Sequence, residues 1–254
     1  MRQFFLIVFA FTLAIMVEAQ TTDLFDKLIY SKGSDSLPYR LLKPVNPQAL
    51  ERFPLIIFLH GSGERGSDNE AQLKHIRNLV VDQKNRGKYP CYVFAPQCPK
   101  GQLWAEHNKD GSVKAQATKP TQLLIELIDQ LSKEYPIDEG RIYITGVSMG
   151  GYGTWDLLAR YPQKFAAGVP VCGGGDERTA SKLKQIPIWA FHGALDDIVP
   201  ARQSQTMIEA IRKAGGRPGY TEYPDIKHDS WVQAYQEPHL LPWLFKQKTQ
   251  GNSD

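Results

Sequence analysis

The sequence predicts the α/β fold class, with a mostly parallel central sheet and helices on both faces. Two observations support this prediction. Short β-branched or apolar runs alternate along the chain with longer segments of helical periodicity, as in successive βαβ units. The run Pro54–Leu59 is apolar throughout, as expected of a strand that is buried on both faces of a parallel sheet. No internal repeat or linker divides residues 20–254, so a single domain is expected there.

The strands are predicted from β-branched and aromatic runs. The first two, Lys27–Tyr30 and Tyr39–Leu42, are expected to form an antiparallel pair around the polar turn at residues 33–36. The remaining predicted strands, in chain order, are Pro54–Leu59, Tyr92–Ala95, Arg141–Thr145, Phe165–Val171, Ile188–Phe191 and Tyr220–Tyr223.

The helices are predicted from the spacing of their apolar residues. They cover Thr121–Tyr135, Tyr152–Arg160 and Ala201–Ala214. Pro120 stands at a first-turn position, where the missing amide hydrogen costs nothing. The tail from Ser230 to Lys248 is expected to be helical, with interruptions at Pro238 and Pro242.

The composition is that of an ordinary globular protein. Hydrophobic residues make up 42% of the 254 residues and charged residues 22%. The net charge of +3 is small, and the basic residues form no stripe or aromatic-basic face. Nucleic acid is therefore not expected as a partner.

The first residues have the pattern of a secretory signal. Arg2 precedes an apolar run from Phe4 to Val17, and a small-residue cleavage site ends at Ala19. The run is short for a membrane span, so no stable membrane insertion is expected after cleavage. We therefore predict a signal peptide over residues 1–19 and a secreted or periplasmic protein.

The most informative motif is Gly146-Val147-Ser148-Met149-Gly150, between a predicted strand and a predicted helix. This context is typical of a nucleophile elbow, in which the serine hydroxyl is exposed at the carboxyl edge of the sheet. Side chains at the two glycines would clash with the neighbouring backbone. Ser148 is therefore the candidate nucleophile.

A serine nucleophile needs a base and an acid that orients the base. In this topology the acid follows a later strand, and the histidine comes near the carboxyl terminus. The loop after Ile188–Phe191 offers Asp196, our candidate acid, with Asp197 as the alternative. His228, between the last strand and a helix, is the candidate base, whereas His192 is expected to pack under the acid loop.

The oxyanion of a tetrahedral intermediate needs two donors, which this topology takes from backbone amides. The amide of Met149, directly after the serine, is one candidate. The amide of Ser62 is the other, with Gly63 as the alternative. The glycine-rich loop that contains Ser62 lacks the lysine of a phosphate-binding loop, so nucleotide binding is not expected.

The chain resembles the serine esterases of the α/β-hydrolase superfamily, and among them those similar to dienelactone hydrolases and polyhydroxybutyrate depolymerases. The resemblance covers residues 37–245. It rests on five motifs, which are Leu59-His60-Gly61-Ser62-Gly63-Glu64-Arg65-Gly66, Ala95-Pro96-Gln97-Cys98-Pro99, the elbow continuing through Gly151-Tyr152-Gly153-Thr154-Trp155, His192-Gly193 with Asp196, and His228-Asp229-Ser230-Trp231.

The resemblance implies the α/β-hydrolase fold, a catalytic triad of Ser148, Asp196 and His228, and no metal or organic cofactor. The family includes exported carboxylesterases and feruloyl and acetyl-xylan esterases, but its motifs are much less specific for substrate. An open site, export and exposed aromatic residues together predict short-chain or aromatic esters, such as the feruloyl and acetyl esters of polysaccharides. The elbow is also similar to that of prolyl-oligopeptidase-type peptidases, but the β-propeller of those enzymes is missing. Between Val171 and Ile188 there is room for a short helix only, so no large cap or lid is expected and the site should be open and shallow.

Two tryptophans are candidates for substrate binding. Trp104 and Trp231 lie in loops that are predicted to surround Ser148, where flat rings could stack on a sugar or an aromatic acyl group. Packing against their own elements is the alternative. A catalytically silent protein that binds carbohydrate or protein is the competing function, although such a module has no need of all three triad residues.

The three cysteines do not form a disulfide framework or a zinc motif. Cys91 is expected to be a small buried residue, since it opens an apolar strand. Cys98 and Cys172 both follow strands, and the sequence leaves a bridge between them open.

Overall fold

The computed structural model describes residues 24–45, 47 and 51–249. The predicted signal peptide lies outside these residues. The strands are β1 (Phe25–Lys32), β2 (Asp35–Leu42), β3 (Phe53–Leu59), β4 (Tyr92–Pro96), β5 (Ile137–Val147), β6 (Ala167–Val171), β7 (Trp189–Gly193) and β8 (Gly219–Tyr223). All eight predicted strands are therefore confirmed, with β5 extending further at both ends than its apolar run indicated.

The helices follow the predicted pattern, with additional short helices between strands. They are α1 (Arg77–Val80), α2 (Gln83–Lys88), α3 (Lys119–Glu134), α4 (Met149–Arg160), α5 (Ala180–Leu183), α6 (Arg202–Lys213), α7 (Trp231–Ala234) and α8 (Leu240–Leu244). Single 3-10 turns cover Ser62–Glu64, Ala71–Leu73 and Glu177–Thr179.

The strands form one sheet in the order β1-β2-β4-β3-β5-β6-β7-β8. β2 is antiparallel to both β1 and β4, and the pairs from β4 through β8 are parallel. The carboxyl ends of β3, β5, β7 and β8 therefore lie at the same edge of the sheet. This is the α/β-hydrolase fold, as predicted.

Alternating side chains of the central strands point into two apolar cores, one on each face. Ile57 of β3 packs in a core with residues of α3, α4 and α6, among them Leu124, Trp155 and Ile208. Its neighbour Ile56 packs in the other core, which contains residues of α1 and α8. The sheet is thus covered by helices on both faces.

The tail differs from the prediction at Pro242, whereas the connection between β6 and β7 agrees with it. The tail is not broken at Pro242, which lies inside α8; a proline fits there because it falls in the first turn of this short helix, where amide hydrogens have no intrahelical partner. Between β6 and β7 the structure has only the turn Glu177–Thr179 and α5, so no cap is inserted there.

The described part of the chain contains no helix with the length and apolar character needed to cross a bilayer. Cys91, Cys98 and Cys172 are all buried free thiols, so the bridge that the sequence left open between Cys98 and Cys172 is not formed.

Candidate active site

Ser148 occupies a strained turn between β5 and α4. Its φ of 54° and ψ of −116° lie outside the regions that residues with a side chain prefer. Its amide donates to the carbonyl of Val171 at 3.0 Å. A β-carbon at Gly150 would lie 1.9 Å from the carbonyl oxygen of Leu59, and one at Gly146 would lie 2.4 Å from the carbonyl oxygen of Gly150. The two glycines are therefore required sterically, as the motif predicts.

Asp196 lies in the loop after β7, and its side chain is completely buried. Its Oδ1 accepts hydrogen bonds from the backbone amides of Ile198, at 2.9 Å, and Val199, at 2.8 Å. The alternative acid, Asp197, is exposed and pairs with Lys227 at 3.4 Å. The structure thus brings Asp196, and not Asp197, into the interior of the site.

His228 follows β8 and lies between Asp196 and Ser148. Its Nδ1 is 2.7 Å from Oδ2 of Asp196, and its Nε2 is 2.9 Å from Oγ of Ser148. The ionised carboxylate can only accept, so Nδ1 carries the proton and the lone pair of Nε2 faces the serine hydroxyl. Burial by itself would raise the pKa of Asp196, but hydrogen bonds from His228, Val199 and Ile198 outweigh it and hold that pKa below its ordinary value.

The loop after β3 approaches the elbow from the opposite side. A β-carbon at Gly61 would lie 3.8 Å from Cβ of Ser148. Ser62 begins the 3-10 turn in this loop, and Met149 begins α4. The first amides of a helical turn have no partner within it, so both amides are available as donors. The amides of Ser62 and Met149 therefore remain the predicted oxyanion donors.

Buried side chains anchor this loop. Nε2 of His60 accepts the amide hydrogen of Cys98 at 2.8 Å, so Nδ1 carries the ring proton and donates to the carbonyl of Gly61 at 2.6 Å. Burial lowers the pKa of His60 to about 4, which keeps the ring neutral. The side chain of Gln97 donates to the carbonyl of Glu64 at 3.0 Å and accepts from the amide of Asn69 at 2.7 Å.

Sequence reasoning missed the roles of His60 and Gln97. Both residues stand in motifs that the resemblance includes, which marked them for attention but gave them no role. Their partners are backbone atoms contributed by separate loops, and such partners leave no residue-type signature in the sequence.

Comparison with known proteins identifies the family. The family model described as phospholipase/carboxylesterase matches residues 43–238, well over half of the chain. The chain belongs to this family. It has the α/β-hydrolase fold.

Three proteins with an activity in their names are similar to this chain. A thermostable esterase of known structure is 37% identical, with a TM-score of 0.83, over 90% of this chain and 64% of that one. A bifunctional acetylxylan esterase/xylanase of Neocallimastix patriciarum is 39% identical over 98 residues, 38% of this chain and 14% of that protein. A ferulic acid esterase shares the fold, with a TM-score of 0.66 at 18% identity, over 87% of this chain and 97% of that one.

The chain spans less than a third of the length of the first curated relatives that it matches. Their names describe whole proteins, of which the matching part is one segment.

The two candidate tryptophans have different positions. Trp104 has no exposed surface, and its Nε1 donates to the carbonyl of His60 at 3.1 Å. The prediction that Trp104 lines the binding surface is therefore wrong in this structure: its ring packs against α4 and supports the loop after β3. Trp231 is half-buried, and its ring meets that of His228 edge-on at 5.5 Å.

Trp231 also links the two sides of the candidate site. Its ring lies 4.8 Å from the ring of His75, and Nε2 of His75 lies 3.4 Å from the carboxylate of Glu64. Burial would raise the pKa of Glu64, but the contact with His75 more than compensates, so this pKa is below its ordinary value. A contact chain thus runs from the loop after β3 to His228.

The rim of the site carries exposed apolar side chains. Leu195 is 54% exposed and Ile198 is 69% exposed, and the two flank Asp196 in its loop. Large apolar side chains at the surface are noteworthy when they cluster beside a site. On another side of the site Tyr152 of α4 packs against His107, with the rings 5.7 Å apart.

One group of potential metal ligands among the described residues coincides with this site. Ligand atoms of Cys172, Asp196 and His228 lie within 4.8 Å of one another. Asp196 and His228 are hydrogen-bonded to each other, and burial raises the pKa of the Cys172 thiol, which favours its protonated form. The donor set therefore fits proton transfer better than metal binding.

Proposed function

We propose that this protein is a serine carboxylesterase in which Ser148 is the nucleophile, His228 the general base and Asp196 the orienting acid. The observation that carries the proposal is the continuous hydrogen-bonded path from Asp196 through His228 to Ser148, with lengths of 2.7 and 2.9 Å. These lengths are within the range needed for proton transfer without rearrangement.

In the first half of the reaction, Oγ of Ser148 attacks the ester carbonyl while its proton passes to Nε2 of His228. The carbonyl oxygen becomes an oxyanion, which accepts hydrogen bonds from the amides of Ser62 and Met149. Collapse of the intermediate breaks the bond to the alcohol, which leaves with the proton from His228. Asp196 stabilises the imidazolium while it exists.

In the second half, water attacks the acyl-enzyme by the same sequence of steps. Its proton passes to His228, a second oxyanion forms and collapses, and the acid departs while Oγ of Ser148 regains a proton. Each step uses only groups of the chain and the solvent, so the atoms and protons balance over the cycle.

Short-chain and aromatic esters, including acetyl and feruloyl esters of polysaccharides, are the proposed substrates. The open connection between β6 and β7 supports this proposal because it leaves room for a bulky alcohol part. The exposed side chains of Leu195 and Ile198 flank Asp196, and the ring of Trp231 contacts His228, so they offer apolar surface near the triad. The acetylxylan and ferulic acid esterases among the relatives support the same classes of ester.

Replacement of the proposed nucleophile is the decisive experiment. Ser148→Ala should lower kcat/KM for p-nitrophenyl acetate by at least about a thousandfold, because the remaining groups cannot form an acyl-enzyme. Ser31→Ala, in the first strand and remote from the site, is the matched control and should leave kcat/KM unchanged. A loss below about tenfold in Ser148→Ala, or 1.4 kcal/mol of barrier, would contradict the proposal.

A panel of acetyl, butyryl and feruloyl esters beside a Gly-Pro amide then defines the substrate class. Faster cleavage of the amide would favour a peptidase, and no cleavage of any member would favour a binding protein.

We also propose that the protein acts outside the cytoplasm after removal of residues 1–19. The support is the apolar run behind Arg2 and the small-residue site that ends at Ala19. Expression of the full chain in a secreting host, followed by amino-terminal sequencing, should give a mature protein that begins at Gln20. Recovery of the uncleaved chain in the cytoplasm would contradict this proposal.

A further inference from the structure

A second imidazole contacts the carboxylate of Asp196. His192 belongs to β7 and has no exposed surface. Its Nε2 lies 3.2 Å from Oδ2 of Asp196, the same oxygen that Nδ1 of His228 approaches at 2.7 Å. The mechanism above assigns no role to His192, although it touches the acid directly.

Its hydrogen-bond partners define the protonation of His192. Nε2 lies 2.8 Å from the carbonyl oxygen of Val199 and 3.2 Å from Asp196, and both groups accept, so Nε2 carries the proton. Nδ1 lies 2.8 Å from Oγ of Ser204. Burial lowers the pKa of His192, and the contacts with Val199 and Asp196 oppose this effect without overcoming it. The ring is therefore neutral, with its N–H bonded to the carbonyl of Val199 and close to the carboxylate of Asp196.

Three hydrogen bonds and one further contact leave the carboxylate of Asp196 little freedom. Oδ1 accepts the backbone amides of Ile198 and Val199, Oδ2 accepts from Nδ1 of His228, and Nε2 of His192 lies 3.2 Å from the same Oδ2. Rotation of the carboxylate would break several of these bonds in a buried setting, where an unmade bond to a charge is expensive. Of the two imidazoles beside Asp196, His192 is the one that does not face Ser148.

We propose that His192 is a positioning residue, which fixes the carboxylate of Asp196 and moderates its pull on the proton of His228. The inference rests on the proposed function, because it concerns the acid of that triad. Ser204 supports His192. Its Oγ lies 2.8 Å from Nδ1 of His192, and its hydroxyl donates to the carbonyl of Gly173 at 2.8 Å, which ties α6 to the loop after β6.

The charged groups that face His192 come from three elements. Asp196 belongs to the loop after β7, and His228 to the loop after β8. Glu222 is the register partner of His192 in β8. The carboxylate of Glu222 accepts hydrogen bonds from Gln205 and from the hydroxyl of Tyr220. Asp196 is therefore the carboxylate that Nε2 of His192 contacts.

The test compares two replacements of His192. His192→Leu removes the N–H, so kcat should fall about tenfold with KM nearly unchanged. The acid limb of the kcat/KM profile should move up by about half a pH unit, because a carboxylate with fewer donors holds the imidazolium of His228 more tightly. His192→Gln, whose amide can replace the Nε2–H, should recover most of both effects.

If His192 has only a structural role, His192→Leu should lower the melting temperature and the fraction of the protein whose active site can be titrated. Such a role would leave kcat per titrated site and the acid limb unchanged in His192→Leu, and that result would overturn the proposal. If His192→Leu does not fold, Ser204→Ala decides, since it leaves Asp196 and its donors in place. A fall in kcat of about threefold, with the acid limb of the kcat/KM profile moved to higher pH, supports the proposal. No change in either quantity overturns it.

Titration of the His228 ring by NMR separates this proposal from the proposed function. The ring pKa of His228 can be measured without turnover, in the wild type and in the His192 variants. Absence of esterase activity in the wild type would contradict the proposed function alone. A His228 titration that is the same in the wild type and in His192→Leu would contradict the role of His192, whatever the activity.

Discussion

The loops on the two sides of Ser148 are held in different ways. On the oxyanion side, the loop after β3 is anchored by neutral side chains with no exposed surface, namely His60, Gln97 and Trp104, each of which bonds to backbone atoms. On the acid and base side, the loops after β7 and β8 are joined by ionisable side chains, and the rim around them exposes Leu195 and Ile198.

This difference fits the work that the proposed function assigns to each side. Backbone donors must stay fixed while charge develops in front of them, so neutral and buried supports are suited to the oxyanion side. The acid and base side must bind and release a proton and admit a substrate, so it needs charged groups and an accessible rim. The comparison predicts that changes on the oxyanion side affect stability more than changes on the rim.

The largest expected effect is the pH dependence of stability due to His60. Burial places its folded pKa at about 4, below the ordinary value, so between these two pH values the unfolded chain binds a proton that the folded chain does not. Its contribution to the free energy of unfolding is complete above the unfolded pKa and is lost as pH falls, by up to about 3 kcal/mol. Urea unfolding at about pH 7 and about pH 4.5 measures this loss.

His60→Gln is the matched variant, because its amide can accept from Cys98 and donate to Gly61 without titrating. The loss of stability between the two pH values should be smaller in this variant than in the wild type. An equal loss in both proteins would show that His60 is not the buried group whose titration lowers stability. That result would contradict the contrast drawn between the two sides of the site.

Trp104→Phe should have the next largest effect. It removes the N–H that donates to the carbonyl of His60 and leaves that buried oxygen unsatisfied. The free energy of unfolding should fall by about 2 kcal/mol. Because the loop that carries Ser62 loses an anchor, kcat should also fall, with KM for p-nitrophenyl acetate little changed. Denaturation curves and steady-state kinetics measure these changes.

Trp231→Phe is the control for Trp104→Phe, since it makes the same substitution on the rim. Its free energy of unfolding should stay within about 0.5 kcal/mol of the wild type. Its effect should appear in the selectivity between feruloyl and acetyl esters. If Trp231→Phe destabilises the protein more than Trp104→Phe does, the proposed division between a rigid side and an accessible side is wrong.

The sequence predicted the parts of the site that depend on local geometry. The elbow at Ser148 was recognisable because a tight turn between strand and helix needs glycines at fixed positions. Asp196 and His228 were placed by chain order, since the carboxyl ends of parallel strands meet at one edge of the sheet. The structure brings these three side chains together as expected, and the strand pattern was confirmed along the whole described chain.

The parts that depend on contacts between distant segments were not predicted. Trp104 was expected at the surface because its loop leads towards the site, but side-chain direction within an irregular loop has no periodic signal. The contact of His192 with Asp196 was equally invisible, because a histidine that packs under a loop and one that donates to a buried acid have the same sequence pattern.

By itself the sequence determined the fold class, the elbow and the identity of the three residues that meet at the edge of the sheet. Strand periodicity, glycine sterics and chain order are enough for these, since each depends on neighbours along the chain or on the parallel topology. Only the tertiary structure decided which side chains are buried, which hydrogen atoms point at Asp196 and which tryptophan faces solvent. Those properties depend on the directions in which separate loops pack, and the residue types alone do not specify such directions.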